Sequence, residues 1–373
     1  MKRTLSAKQA AALAVTLYYP ILAKVMIPLT AGAGAMAFVA PILAAIPIFL
    51  QAYLLKKLRS SCKNMSCGEI LKTLFGQKTA RWLLILLSLW LILSAAGYME
   101  YYDELLTTTI YPDAKHDLMP FLMAVLVGIL LPKGLRTLGR MNWLIAAVVL
   151  VQMAVLLLLT VPKCDLMNLL PLNGPGLLRA GAAAPVTASA VGGVAFTVFL
   201  VHDEVRERPE DARKNSRRRK ALYIGAWVLP AVLLFALGAA FGGPVLMSLD
   251  WPVLSVVREI FDLESAASLE PLFIAIWFYA DFMSVAVQGY LAVRLLGEAF
   301  DIRDLQKLLP GGIILILSVT LCFSGGVEEM RLLTAGFLLP VRFGISFGLP
   351  VLCWFRGRKK GLFPLQEGKN MVE

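Results

Sequence analysis

Apolar runs of about 20 residues, the length a helix needs to cross a bilayer, recur along this chain from end to end. Ten can be marked, at roughly 10–29, 35–55, 80–106, 118–132, 141–162, 185–202, 221–246, 267–293, 309–323 and 333–354. Bilayer hydrocarbon offers no water to backbone N–H and C=O groups, so each run must be a helix that satisfies its own backbone. Hydrophobic residues make up 58% of the 373 and charged residues only 16%, which leaves no room for a sizeable soluble domain. The expected fold is all-α and integral to the membrane, with about ten transmembrane helices in one polytopic domain over 1–373. They are numbered helix 1 to helix 10 in order.

The net charge of +11 raises the possibility of a nucleic-acid partner, but the distribution of the charge points elsewhere. With the N-terminus inside, the inner segments hold 29 Lys and Arg. The outer segments hold five: Lys115, Lys163, Arg179, Arg258 and Arg331. Such an asymmetry in short loops puts both termini in the cytoplasm. The run "RRRK" at 217–220 is then a topology signal and a contact for the lipid bilayer, and no nucleic acid is expected. The start imitates a signal peptide, with "MKR", an apolar stretch and "AGAGA" at 31–35. The stretch is too long for a signal core and is interrupted by Pro20 and Lys24, so it reads as helix 1. Cys62, Cys67, Cys164, Cys322 and Cys353 form no metal-ligand spacing and read as structural.

Ten helices with both ends inside divide into two groups of five, and an odd number per half turns the second half upside down. The expected inverted repeats cover approximately 10–162 and 185–354, which makes helices 1 and 6 counterparts. Helix 1 contains "YYPILAKVMIP" at 18–28, with a lysine between two prolines. Helix 6 contains "ASAVGGVAFT" at 188–197, with Gly192-Gly193 in its middle. Glycine permits close helix packing, but the matched positions favour discontinuous helices 1 and 6. Between helices 2 and 3, "SCGEILKTLFG" at 66–76 has a capping box in Ser66 and Glu69, one apolar face and a terminal glycine. It reads as a short cytoplasmic interfacial helix. On the other side, "WPVLSVVREIFDLESAASLE" at 251–270 reads as a second amphipathic segment.

The chain resembles the spore germination permeases, the membrane B subunits of nutrient germinant receptors, within the amino acid–polyamine–organocation superfamily. The resemblance covers nearly the whole chain. It lies in "LSAKQAAAL" and "IPLTAGAG" around helix 1 and "SCGEILKTLFGQKTARWL" before helix 3. More specific are "DLMNLLPLNGPG" at 165–176 and "LEPLFIAIWFYADFMSVAV" at 269–287. It implies the inverted-repeat leucine-transporter fold and a ligand site between helices 1, 3, 6 and 8. It also implies a place in the inner spore membrane with germinant receptor A and C subunits as partners. This chain departs from the family where a glutamate is common in helix 6 and Gly193 stands. It departs again where a lysine is common in helix 8 and Ser284 stands.

Lys24 sits mid-run, and a lysine at the bilayer centre costs about 2.5–3.5 kcal/mol, so it should face the bundle and find a partner. Pro20 and Pro28 each remove an amide donor, and unwound backbone around Ala23 could offer carbonyls to the ammonium. Asp281 is the acid within the second half's core. It follows Trp277 by one turn and shares its face with Ser284 and Gln288. In the fold implied by the resemblance, helices 1 and 8 face each other across a sodium site, so a Lys24–Asp281 pair would fix a positive charge there. The alternative partner for Asp281 is Arg342 of helix 10. Tyr98, in "GYMEYYDELL" at 97–106, can close one wall of a pocket. Tyr101 and Tyr102 fit an outer aromatic belt, and Glu100, Asp103 and Glu104 the interface. Thr187, Ser189 and Thr197 of helix 6 offer hydroxyls, either to a ligand or back to their own helix.

Nothing in the pattern points to catalysis. His116 and His202 lie at or beyond membrane ends, and there is no phosphate-binding loop or nucleophile elbow. No enzyme activity and no cofactor are expected. Three functions remain: a subunit that senses a small-molecule nutrient, an amino acid by expectation, and signals to partners; an autonomous amino acid or cation transporter; and a scaffold that has lost its site. The topology itself is testable by single-cysteine labelling from outside the membrane. Positions 113–117 and 258–262 should react and 213–218 should not; reaction at 213–218 would reverse the orientation.

Overall fold

The computed structural model describes residues 5–62, 65–111, 117–170, 172–206, 212–260, 270–302, 304–322, 329 and 332–362. Of the residues read above, Lys115, His116, Arg331 and the 261–269 part of the second amphipathic segment lie outside the described residues. Among the described residues, seven helical stretches are long and apolar enough to cross a membrane. One of them, Leu118–Lys163, holds two expected helices, Leu118–Leu130 and Gly134–Thr160, divided where Gly134 takes φ 74°. The other expected passes are the pair Val39–Leu43 and Ala45–Ser61, bent at Ala44, and the short Leu309–Thr320. Each of the ten apolar runs therefore carries helix, in the expected order.

Helix 1 starts with a full capping box: Gln9 N–H donates to Ser6 Oγ, and Ser6 N–H donates to the Gln9 side chain. It runs as α-helix over Ala7–Pro20, as π-helix over Ile21–Met26 and as α-helix again over Ile27–Ala31. The expected unwinding takes the form of a widened turn, in which the Ile27 N–H reaches back five residues to Leu22 O. Helix 6 departs further from expectation. It runs unbroken over Gly174–Val201, straight through Gly192-Gly193. Those glycines serve close approach: a Cβ on Gly192 would lie 2.7 Å from the Phe347 ring, and one on Gly193 would lie 2.4 Å from Arg342 Cδ. Packing of helix 10 on helix 6 outweighs the glycines' low helix propensity.

Helix 3, Gln77–Thr109, has 33 residues, roughly 50 Å at 1.5 Å per residue, and packs along helix 8, Glu270–Phe300, more extensively than any other pair. Its far end was expected at the interface, yet Tyr101, Tyr102, Glu100, Asp103 and Glu104 are all buried. The helix Pro252–Ile260 covers that end: Trp251 Nε1 donates to Thr108 Oγ1 at 3.2 Å, and Arg258 donates to Thr109 O at 3.1 Å. An aromatic belt was therefore the wrong reading of the two tyrosines.

One face collects the segments that the charge count grouped together. Strand Leu5–Ser6 pairs in parallel with Val205–Arg206 after helix 6. The interfacial helix, Cys67–Phe75, has its predicted capping box and ends at Gly76 with φ 81°. Burial and the neighbouring Asp203 carboxylate raise the Cys67 thiol well above its ordinary pKa, which suits an inert structural cysteine. Lys72 bridges to Asp301 beyond helix 8, and Lys360 donates to Thr73 O at 2.7 Å.

Under that face lies a buried charge network. Arg294 of helix 8 was counted as a loop charge, but helix 8 continues to Phe300 and encloses it at 1% exposure. It bonds Asp203 Oδ2 at 2.6 Å, and Glu204 and Glu298 lie at 3.8 and 3.4 Å. Arg59 of helix 2 holds the other Asp203 oxygen at 2.8 Å, and the Cys67 and Gly68 amides donate to Asp203 and Glu298. The network ties helices 2, 6 and 8 to the interfacial helix. Arg294→Met leaves buried acids undercompensated and should cost about 3–5 kcal/mol. Thermal unfolding in detergent checks it; a loss under about 1 kcal/mol would mean the network is not what closes this face.

Candidate functional site

Lys24 projects from the middle of the π-turn of helix 1 and forms a hydrogen-bonded ion pair with Asp281 Oδ2 of helix 8. The two side chains are 1% and 0% exposed. Arg342, the other partner considered for Asp281, lies elsewhere, against Ser94 and Gly193. The Tyr102 ring of helix 3 lies 5.2 Å from the Lys24 ammonium, so the charge has a carboxylate on one side and an aromatic face on another. Asp281 Oδ1 has no hydrogen-bond partner among the described residues.

One turn before the pair, Tyr19 of helix 1 donates to Gln152 Oε1 of helix 5 at 2.8 Å and accepts from Trp277 Nε1 of helix 8. The Tyr19 and Trp277 rings meet edge to face at 6.3 Å, and Gln152 donates on to Phe273 O at 3.3 Å. Helices 1, 5 and 8 are thus stitched by a polar chain beside the ion pair. Sequence reasoning missed Tyr19, Gln152 and Tyr102. Gln152 was detectable as a lone amide in an apolar run, where it must find a partner in a neighbouring helix.

The other expected site residues divide into two groups. Pro20 and Ala23 are buried on helix 1 beside the pair. Thr197 Oγ1 donates to Gly193 O at 3.0 Å and Ser284 Oγ to Ala280 O at 2.8 Å, so both hydroxyls are spent on their own helices. Ser189 Oγ donates to Leu339 O at 2.7 Å and lashes helix 6 to helix 10. Gly192 O accepts from Gln51 of helix 2 at 2.8 Å. Tyr98 sits deep in the bundle against Arg342 and Gln288, close enough to the Lys24–Asp281 pair to feel the Asp281 carboxylate. The expected set is therefore spread over two neighbouring centres, one at Lys24–Asp281 and one at Tyr98–Arg342.

The sequence matches the model of the family described as "Spore germination protein" over residues 14–324. The chain belongs to that family. No curated protein matches it in sequence. Among solved structures it is similar to Mhp1, a nucleobase-cation-symport-1 family transporter in a closed conformation with bromovinylhydantoin bound. The identity is 15% and the TM-score 0.59, over 98% of this chain and 94% of that one. It is also similar to an Eremococcus coleocola manganese transporter carrying a histidine-to-alanine change. There the identity is 14% and the TM-score 0.54, over 98% and 82% of the two chains. The likeness is one of fold, the leucine-transporter fold. This germination-family chain is a multi-pass, permease-like membrane protein.

The ion pair makes a sharp stability prediction. Lys24→Met strands a buried carboxylate and should cost about 3–5 kcal/mol. Removing both charges, Lys24→Met with Asp281→Leu, should recover much of the loss. Thermal stability of the wild type, both single variants and the double measures the coupling, and strictly additive losses would mean that the two residues do not meet.

Proposed function

We propose that this protein is the membrane subunit of a spore nutrient germinant receptor. It binds a small molecule, an amino acid, between helices 1, 3, 6 and 8, and passes the resulting closure to A and C partner subunits. The observation that carries this reading is the buried Lys24–Asp281 pair between helices 1 and 8. A symporter draws energy from a cation that enters and leaves. A covalently attached ammonium cannot leave, so a bundle whose helices 1 and 8 are clamped by one has no ion to move at that point. Such a bundle suits a device that changes shape on binding, because ligand affinity for one shape is all that shifting a conformational equilibrium needs. The charge asymmetry supports cytoplasmic termini, and the family supports a place in the inner spore membrane.

A second reading, autonomous transport by alternating access, has one observation behind it: the solved structures named above are transporters. The two readings part in a vesicle experiment. With the purified chain reconstituted alone, radiolabelled amino acids should not accumulate with or without a sodium gradient, and binding in detergent should be unchanged when sodium is replaced by choline. Sodium-dependent accumulation would replace the receptor reading with the transporter one. Binding in neither preparation would leave the chain as a scaffold.

A further inference from the structure

Lys24 and Arg294 lie deep among the helices and each meets carboxylates there. Arg342 does not. Among the described residues, no carboxylate oxygen lies within ion-pairing distance of its guanidinium. Its neighbours are Ser94 Oγ of helix 3, at 3.2 Å from a terminal nitrogen, and the Tyr98 hydroxyl. It sits about 20 Å along helix 10 from the charged run that starts at Arg356, beyond the reach of a snorkelling side chain. A cation in that position is costly without an anion.

The surrounding backbone is arranged to present it. Arg342 occupies the short α-segment Leu339–Phe343, set between π-turns Thr334–Leu338 and Gly344–Gly348. Its methylenes lie against the bare Cα of Gly193, where any Cβ would come within 2.4 Å of them. A glycine at 193 is thus what lets the guanidinium reach helix 3. Gln288 of helix 8 also lies against Tyr98, and its Oε1 is buried without a donor among the described residues. A cation with no acid and an acceptor with no donor both lie against one tyrosine.

We infer that Arg342, with Ser94 and Tyr98, anchors the carboxylate of the protein's ligand, and that Gln288 Oε1 accepts from the ligand's ammonium group. This deepens the small-molecule reading given above and rests on it. Guanidinium matches carboxylate in charge and in its paired donors, and a charge-assisted contact of this kind is stronger than a neutral one. The ligand class is therefore small carboxylates that carry an amino group. A bare amine or an amide lacks what Arg342 needs.

The test uses the full chain in detergent and reads melting temperature. The probes are sodium acetate, acetamide and sodium chloride at equal concentration, then the standard L-amino acids beside their carboxamides. Acetate and at least one amino acid should stabilise the wild type, and acetamide, chloride and the matching carboxamide should not. Arg342→Gln should abolish the acetate effect and weaken the amino acid's apparent Kd by about tenfold or more, while Arg342→Lys retains part of it. A second, ligand-free measurement covers a folding defect: Ser94→Asp should raise the melting temperature with Arg342 present and lower it in Arg342→Gln. Carboxamides as effective as the acids, or a Ser94→Asp effect independent of Arg342, would overturn the anchor. A compound that needs Lys24 but ignores Arg342 would overturn the anchor alone and leave the receptor reading standing. If no probe stabilises the wild type, the anchor and the ligand site fall together.

Discussion

A charge inside a bilayer must be matched there, and this requirement organises the fold more than any other. Lys24 needs Asp281, so helix 1 is bound to helix 8 at mid-membrane. Asp203, Glu204 and Glu298 need Arg294 and Arg59, so helices 2, 6 and 8 converge under the face that bears the N-terminus. Apart from Arg294–Glu298, which lies within helix 8, each pairing joins elements far apart in sequence, and apolar surface alone could not choose them. Lipid tails are as apolar as leucine, so burial against a neighbouring helix gains little over burial against lipid. The polar contacts therefore fix which helices are neighbours, and small residues at Gly192 and Gly193 fix how close they come.

Two of these contacts share a local device. Lys24 lies within a π-turn and Arg342 lies between two of them. A π-turn shifts the phase of a helix without breaking it, so a side chain can be turned toward a partner that a regular 3.6-residue repeat would miss. At both positions helix continuity is kept and direction is adjusted. The bundle thus has one cation on helix 1 and one on helix 10, with Tyr102 and Tyr98 of helix 3 standing against one each.

Much of this was legible in the sequence. The ten helices, the interfacial helix with its Ser66–Glu69 cap, and the Lys24–Asp281 pair follow from span length, capping chemistry and the cost of intramembrane charge. Helix ends were not legible. Helix 3 overshoots its apolar run because a later segment around Trp251 covers its acidic end, a tertiary fact that hydropathy cannot register. The same cover meets the Tyr101 ring, and Phe278 of helix 8 meets Tyr102, so two tyrosines whose spacing matched an interfacial belt are buried. At Gly192-Gly193 intrinsic propensity argued for a break, but the cause lay outside the helix, in the Phe347 ring and the Arg342 stem that need the room. Arg342 was seen as a possible partner for Asp281; its true neighbours, Ser94 and Tyr98, are hydroxyls with no sequence signature that ties them to helix 10.

The separation of the mid-membrane pair also bears on how the chain is made. Lys24 and Asp281 stand 257 positions apart. At the ~5–20 residues per second of synthesis, roughly 10–50 seconds pass between them. Throughout that interval the lysine is in or near the bilayer and its carboxylate does not yet exist. Helix 1 must wait, by staying shallow with its ammonium at the headgroups, by sheltering in the insertion machinery, or by borrowing the Tyr102 ring of helix 3, which is made far sooner. Its final depth is a late event in assembly, set by the arrival of helix 8.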